Sequence, residues 1–518
     1  MALFVYVLAG VLAIICLKRA TAKKLSLDHI PTVGSPNGLL SYLTAFRYLV
    51  KANVVIQEGY SKYKGRIFKV PQMSDWLLIV TGDELVEELR SAPENVLSME
   101  AAMADILQSD YTLGPTLKED TYHIGVLRSA MNKNLANVLP DVVDELDIGF
   151  GDVFDAKLEP EGWTPLKVVD MALRLVVRSS NRAFVGLPTC RIDEFCAVNT
   201  QFAVNVMIGS FFINTFPEFL KPTVGSLFTS VSGHQRKVLK YLGPIIDERK
   251  AKLAEYGPDY PDKPNDFLSW LIDSAPRNHH FETENLALRM LIMNFVALHT
   301  TAMSFVHALY NLAAMPEYAD PLREEIEAQL GSDMSKWTKD AFAKCWKLDS
   351  FLKESQRLNG LGALSLPRKA LKTYTFRDGT VIPEGATLSA TQTAVHYDST
   401  YYENAGQFDG FRFYRQRVSA AGEREGEELA EENKEEDWRN RLTGTGVGYL
   451  AFGGGRHVCP GRFFAALELK TMLAIVLLRY DVKMAKEGVR PEDQWFGPAC
   501  IPSNSAEVLF KRRTTFKV

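Results

Sequence analysis

One large, mainly α domain with small β-sheets, standing behind an N-terminal transmembrane helix, is the fold class that this 518-residue sequence predicts. Three observations predict it. Apolar residues recur at three- and four-residue spacing along most of the chain, the mark of amphipathic helices. Only short stretches read as strands. The first residues after Met1 form an uncharged apolar run that a cluster of bases brings to a stop.

That run, Ala2 to Leu17, is 16 residues long and is followed by Lys18, Arg19, Lys23 and Lys24. As a helix it spans about 24 Å, somewhat short of the ~30 Å hydrocarbon layer. A thinner membrane such as that of the endoplasmic reticulum, with snorkelling lysines, absorbs the difference. A cleaved signal fits less well, because a basic stretch before the run and an A-x-A-like cleavage site are both missing. Bases on the C-terminal flank place the body in the cytosol, behind a single-pass anchor. Residues 1–24 are therefore expected to be anchor and basic flank. Residues 25–45, with "HIPTVGSPNG" (His29 to Gly38), are expected to form a Pro/Gly hinge. Residues 46–518 remain for the domain itself.

Within that domain, Arg66 to Val80 and Tyr374 to Leu388 read as strand pairs, the latter punctuated by "RDG" and "IPEG" turns. Leu291 to Ala314 carries no Asp, Glu, Lys or Arg for 24 residues. A second membrane span would leave Asn294, His299, Thr300, Thr301, Ser304, His307 and Asn311 in lipid, so a helix through the centre of a soluble core fits better. Glu423 to Asp437 holds nine acids against Arg424 and Lys434, a surface insertion at about 420–438. It accounts for the net charge of −4, and the rest of the chain is mildly basic. Nothing in that balance points to nucleic acid. The six cysteines are scattered singly with no C-x-x-C pair, which suits a reducing compartment.

One cysteine has a distinctive setting, "FGGGRHVCPG" (Phe452 to Gly461), running straight into "RFFAALELKTMLAIVLLRY". The segment lacks the Lys-Ser/Thr of a phosphate loop. His457 and Cys459 have no second Cys/His pair at zinc spacing. A thiolate at such a turn gains from turn amides and from the positive end of the following helix. Glycines let the backbone approach a flat, bulky partner, and a heme iron held by one thiolate is such a partner.

Phe452, Gly455, Cys459 and Gly461 match F-x-x-G-x-x-x-C-x-G, and the chain on this ground resembles the cytochrome P450 family. Companion motifs follow in that family's order. "ESQR" supplies Glu354 and Arg357, and "FDGFRF" supplies Arg412, the members of a buried Glu-Arg-Arg network. The long apolar helix resembles the one that crosses the oxygen side of the heme. "GRHVCPGRFFA" and "HTT" resemble fungal microsomal members, and the resemblance covers essentially the whole chain. It implies heme b with Cys459 as metal ligand and Phe452, Gly455, Arg456, His457 and Gly461 around it.

Several positions depart from the family pattern. Where many members carry an arginine two residues before the cysteine to meet a heme propionate, His457 stands beside Arg456. Arg128 is the second propionate candidate by resemblance, although Ile124 replaces the usual tryptophan four residues earlier, with His123 before it. His396 is a weaker candidate. In "VALHTT", His299 takes the place of a proton-delivering acid and Thr300 that of the oxygen-stabilising hydroxyl, so both are expected to be catalytic. An imidazole with a pKa near ~6.5 is able to relay protons.

By resemblance the substrate meets Ala101 to Thr116, Phe202 to Phe216, Leu361 to Leu366 and Phe496 to Ile501, all poor in charge, which suits a large lipophilic ligand. Fungal relatives imply a terpenoid or steroid-like substrate of secondary metabolism. No flavin or nicotinamide domain fits the remaining length, so NADPH-cytochrome P450 reductase is the expected electron donor, docking on the basic face around the cysteine. Two other readings stay open. One is a heme-thiolate isomerase, dehydratase or peroxide user without reductase; the other is a membrane-tethered heme sensor or ligand binder.

Overall fold

The computed structural model describes residues 17–21, 25–36, 40–114, 120–422 and 437–514, together with Gly10 and Ile14. Most of the expected anchor and most of the acidic insertion lie outside the described residues.

Strands β1 (Ile67–Pro71) and β2 (Trp76–Val80) form the first hairpin, and β3 (Leu97–Ser98) follows. Further along the chain come β4 (Thr164–Lys167), β5 (Leu364–Ala370), β6 (Tyr374–Thr375), β7 (Val381–Ile382) and β8 (Thr387–Thr391). The last four are β9 (Tyr480–Met484), β10 (Gln494–Phe496), β11 (Ala499–Ile501) and β12 (Glu507–Arg512). The largest sheet has the order β1-β2-β8-β5-β3, with β2 and β8 parallel and the other pairs antiparallel. Both strand regions anticipated in the sequence thus meet in or beside one sheet. A three-stranded β4-β12-β9 sheet and the β10-β11 hairpin complete the β structure that bears on the site.

The helices supply the bulk of the fold. They include α1 (Ser41–Tyr63), α2 (Asp83–Ser91), α3 (Met99–Leu107), α4 (Asn132–Val153), α5 (Val168–Phe184) and α6 (Asp193–Thr215). After them come α7 (Lys221–Phe228), α8 (Val231–Tyr256), α9 (Thr283–Ala314), α10 (Trp346–Leu358), α11 (Arg412–Gly422) and α12 (Arg462–Arg479). Helix α9 runs through the middle, packed by α5, α6, α8, α10 and α12. Its buried asparagines are satisfied by protein. Asn294 exchanges amide hydrogen bonds with Asn181 at 2.8 and 3.2 Å, and Asn311 donates to Ser355 and Asn359. Those partners remove the desolvation penalty that the same side chains would meet in lipid. Among the described residues α6 and α9 are long and apolar enough to cross a membrane, and α9 is largely buried in the core.

One boundary differs from expectation. The stretch at 25–45, expected as a Pro/Gly hinge, packs on the sheet: Leu27, Ile30 and Val33 are buried, Val33 N–H donates to Lys69 O, Lys69 N–H donates to Pro31 O, and α1 begins at Ser41. Apolar residues at three-residue spacing in an irregular Pro/Gly stretch gave it a face to bury on the sheet.

Candidate active site

The cysteine turn is assembled from three elements. Gly453 and Gly455 sit at φ +69° and +63°, a conformation that side-chain-bearing residues rarely adopt, which lets the chain coil before the cysteine. Cys459 donates its backbone N–H to Phe452 O at 2.9 Å and so closes the loop. The backbone N–H groups of Gly461 and Arg462, at the start of α12, point to its Sγ. Burial pushes the thiol's pKa up, while these amides and the Arg462 charge pull it back. A Cβ on Gly461 would meet nothing within 4 Å, so that flank of the cysteine is open.

Two of the glycines also meet a neighbouring element. A Cβ on Gly455 would lie 2.5 Å from Arg90 O, and one on Gly454 would lie 2.6 Å from Arg90 Cδ. They let the turn pack against the end of α2. The reason is tertiary: Arg90 is more than 360 residues away in sequence.

Behind the turn lies a buried ionic framework. Arg357 holds Glu354 through two hydrogen bonds of 2.7 Å, both side chains being fully buried, and Arg412 Nε reaches Glu354 Oε1 at 3.3 Å. The remaining guanidinium hydrogens of Arg357 and Arg412 go to the carbonyls of His396, Ala405, Gln407 and Glu403. Such geometry offsets the desolvation of the charges only because nearly every donor is used. His396 belongs to this framework and not to a propionate. It is fully buried, its Nε2 accepts from Leu450 N at 3.1 Å, its Nδ1 donates to Arg357 O at 3.0 Å, and it stacks on Tyr449. Burial pushes its pKa down to about 3, so it is neutral. It ties α10 to the segment that leads into the cysteine turn.

At the edge of the turn the expected propionate group is partly rearranged. His457 Nε2 lies 2.8 Å from Glu94 Oε2, and Glu94 also accepts from Ser98 Oγ, Met99 N and Glu100 N at the start of α3. The imidazole thus sits beside a carboxylate, without a hydrogen bond of proper geometry at Nε2. Burial and the charge of Arg368 lower its pKa, against the pull of Glu94. Arg128 lies in a π-type turn, Leu127–Met131, and donates Nη2 to Arg456 O at 2.9 Å. The Arg456 side chain itself is exposed. Arg368 on β5 was missed from sequence. It is fully buried, its Nη1 donates to Pro367 O, and its Nε and Nη2 are buried with no hydrogen-bond partner. A guanidinium in that state asks for an anion. Desolvation lowers its pKa, and the neighbouring charges that act on it are Glu94 and Arg456. The signal in the sequence was a lone Arg in the strand-like "LSLPRKA".

The central helix α9 exposes Val296 and Thr300, one helical turn apart, in its otherwise buried middle. Thr300 Oγ1 donates to Val296 O at 2.9 Å. His299 is on a different face. It hydrogen-bonds the backbone of Thr200 on α6, its Nε2 is buried without a partner, and burial lowers its pKa. Phe211 of α6 and Phe496 of the β10-β11 hairpin meet with ring centroids 5.1 Å apart, which brings two of the expected substrate segments together.

Taken together, a buried cysteine on a glycine turn, an unpaired buried guanidinium near it and an exposed stretch of a central helix are the parts that a heme-thiolate site requires. The cytochrome P450 family model matches residues 34–510, and the chain belongs to that family. It is 40% identical to cytochrome P450 monooxygenase 151 of Postia placenta over 98% of both chains. It is 33% identical to cytochrome P450 monooxygenase CYP512U6 of Ganoderma lucidum over 94% of this chain and 92% of that one. A crystal structure of a cytochrome P450 superposes with a TM-score of 0.68 at 17% identity, covering 93% of this chain and 99% of the other, which establishes the fold. The chain is accordingly an oxidoreductase of the monooxygenase kind, and its family implies a heme with a cysteine thiolate ligand.

Proposed function

We propose that this protein is a membrane-anchored monooxygenase that inserts one oxygen atom into a lipophilic, terpenoid or steroid-like substrate of secondary metabolism, using electrons from NADPH-cytochrome P450 reductase. The Cys459 turn carries the reading, because two amides converge on its sulfur and the flank at Gly461 is open. When bound there, heme supplies the activation of O2 and the transfer of one oxygen atom. The chain's own residues do the rest. Cys459 would hold the iron through its sulfur, with Phe452, Gly455 and Gly461 beside it. Arg368, with Arg128 and the Arg456–His457 edge of the turn, holds the propionate carboxylates. Thr300 releases its hydroxyl from Val296 O to hold a water or pass a proton on the open face of α9. His299, donating through Nδ1 to the Thr200 carbonyl, keeps Nε2 as a proton acceptor behind it.

Placement on the endoplasmic reticulum, with the catalytic domain in the cytosol and residues 1–24 as anchor and basic flank, is supported by exposed apolar side chains. Leu43 and Phe46 on α1, Phe219 before α7, and Leu227 and Phe228 on α7 are all largely exposed. Lys18 of the basic flank donates to the Asn214 carbonyl at the end of α6, close to that corner. Docking of an acidic reductase is supported by exposed Arg128, Lys133 and Arg456 on the cysteine side.

The deciding experiment is the spectrum of the reduced, carbon monoxide-bound protein. The red-shifted Soret band of a thiolate-ligated heme is expected, and Cys459→Ala should abolish it. A heme-loaded protein without that band overturns the ligand assignment. Turnover with NADPH and reductase, against peroxide alone, then separates the monooxygenase from a peroxide user.

A further inference from the structure

We infer that His307, Asp493 and Cys500 form a second cation site, separate from the heme, which takes a soft divalent metal such as Zn2+ or Cd2+ and which Arg490 fills in its absence. The three residues come from different elements: His307 from α9 two turns beyond Thr300, Asp493 from just before β10, and Cys500 from β11. Their ligand atoms all lie within 4.8 Å of one another, the one such group of three found among the described residues. His307 and Cys500 are buried and Asp493 is nearly so.

A single nitrogen, Arg490 Nη2, marks the point on which two of them converge. It donates to His307 Nδ1 at 2.8 Å and to Asp493 Oδ1 at 3.0 Å. An Nδ1 that accepts from a guanidinium carries a lone pair, not a proton, so the imidazole already presents a ligand atom. Asp493 is oriented by Asn359, which donates to its other oxygen at 3.0 Å. The Cys500 thiol hydrogen-bonds the same carboxylate. Zinc bonds of ~2.0–2.3 Å in a tetrahedron put neighbouring ligand atoms roughly 3.3–3.8 Å apart. The His307 Nδ1 to Asp493 Oδ1 distance is 3.4 Å. All three ligand atoms lie within 4.8 Å of one another, so small side-chain shifts close the tetrahedron and a water completes the four.

Charge balance makes the exchange feasible. Arg490 and Asp493 form a neutral pair beside a neutral imidazole and a thiol. A divalent cation replaces the guanidinium, the Cys500 thiol releases its proton to solvent, and one carboxylate with one thiolate again sums to zero. No uncompensated charge is buried in either state. Arg490 is the component able to leave. Its side chain is partly exposed, it sits outside regular structure, and its Nε is buried with no partner. The mixed imidazole, carboxylate and thiolate set selects zinc-like cations over magnesium or calcium.

The test uses full-length, heme-loaded protein titrated with Cd2+, read by equilibrium dialysis and by the ultraviolet thiolate-to-cadmium charge-transfer band. Wild type is expected to bind one equivalent that Cys500→Ser lacks. Arg490→Ala should bind about tenfold tighter, because its competitor is gone. The carbon monoxide spectrum of Cys500→Ser should match wild type, which shows that the fold and the heme ligand are intact. If that variant fails to load heme, Asp493→Asn replaces it with the same expectation. Unchanged stoichiometry in Cys500→Ser, no tightening in Arg490→Ala, or metal uptake by Arg490→Ala alone would each overturn the site.

Discussion

The two sides of the site are built on opposite principles. On the cysteine side, charged and polar groups are packed into the core, with Glu354 paired to Arg357 and Arg412 and His396 held between two backbone groups, while Arg368 keeps two unpartnered nitrogens. On the facing side, α9 and the segments around it present Val296, Thr300, Phe211 and Phe496 with few polar contacts. The first arrangement is rigid because any displacement leaves a buried charge unpaired, which costs far more than a lost apolar contact. The second tolerates change because apolar surfaces repack at low cost. Under the proposed function that division has a use: one side would fix a cofactor and the other adapt to a ligand.

Substitutions break or sharpen the contrast in descending order of effect. Cys459→Ala should remove thiolate ligation and all monooxygenase turnover, while Cys500→Ala leaves the carbon monoxide spectrum unchanged. Arg357→Ala strands the fully buried Glu354, with an expected loss of about 3–5 kcal/mol in denaturant unfolding, enough to prevent heme loading. A loss under 1 kcal/mol would mean that the framework is not rigid in the sense argued.

Glu468 on α12 tests the same side through pH. It is buried, accepts hydroxyl hydrogen bonds from Ser179 and Ser180, and burial pushes its pKa up to about 7. A carboxyl whose folded pKa is raised above the unfolded one stabilises the fold fully at low pH. That contribution fades as pH rises from about 4.5 to about 7, by about 3 kcal/mol at most. Glu468→Gln should flatten this part of the stability profile and leave the variant less sensitive to pH than wild type, as read by denaturant midpoints across that window.

Arg368→Ala is expected to speed heme loss to apomyoglobin about tenfold, the scale of one charge-assisted contact, with Arg128→Ala, more exposed, giving less. Equal rates for all three proteins would remove Arg368 from the propionate role. The smallest effects belong to the facing side. Thr300→Ala and His299→Ala should retain heme and fold, but divert a several-fold larger share of electrons to peroxide by weakening proton delivery, an effect below the full worth of a general acid–base group because water is able to substitute. His299→Ala with unchanged coupling would assign that histidine to packing against α6.

What could be read from the sequence were groups close together in the chain or carrying an unusual pattern. The Cys459 turn was legible because glycine, cysteine and helix start lie within ten residues, and Glu354 with Arg357 because three residues make one helical face. The central position of α9 followed from a long charge-free stretch whose polar groups needed protein partners. The β1-β2 pair of the main sheet and the separate β6-β7 pair followed from strand-like runs broken by turn signals. What only tertiary structure decided were pairings across long separations. Gly454 and Gly455 yield to Arg90, His457 turns to Glu94, His299 turns to Thr200, and Arg368 is left with two unpartnered nitrogens beside the turn. The physical reason is that a motif sets which side chains are available, whereas the packing of distant elements sets which partner each polar group finds, and in a buried site that partner determines its role.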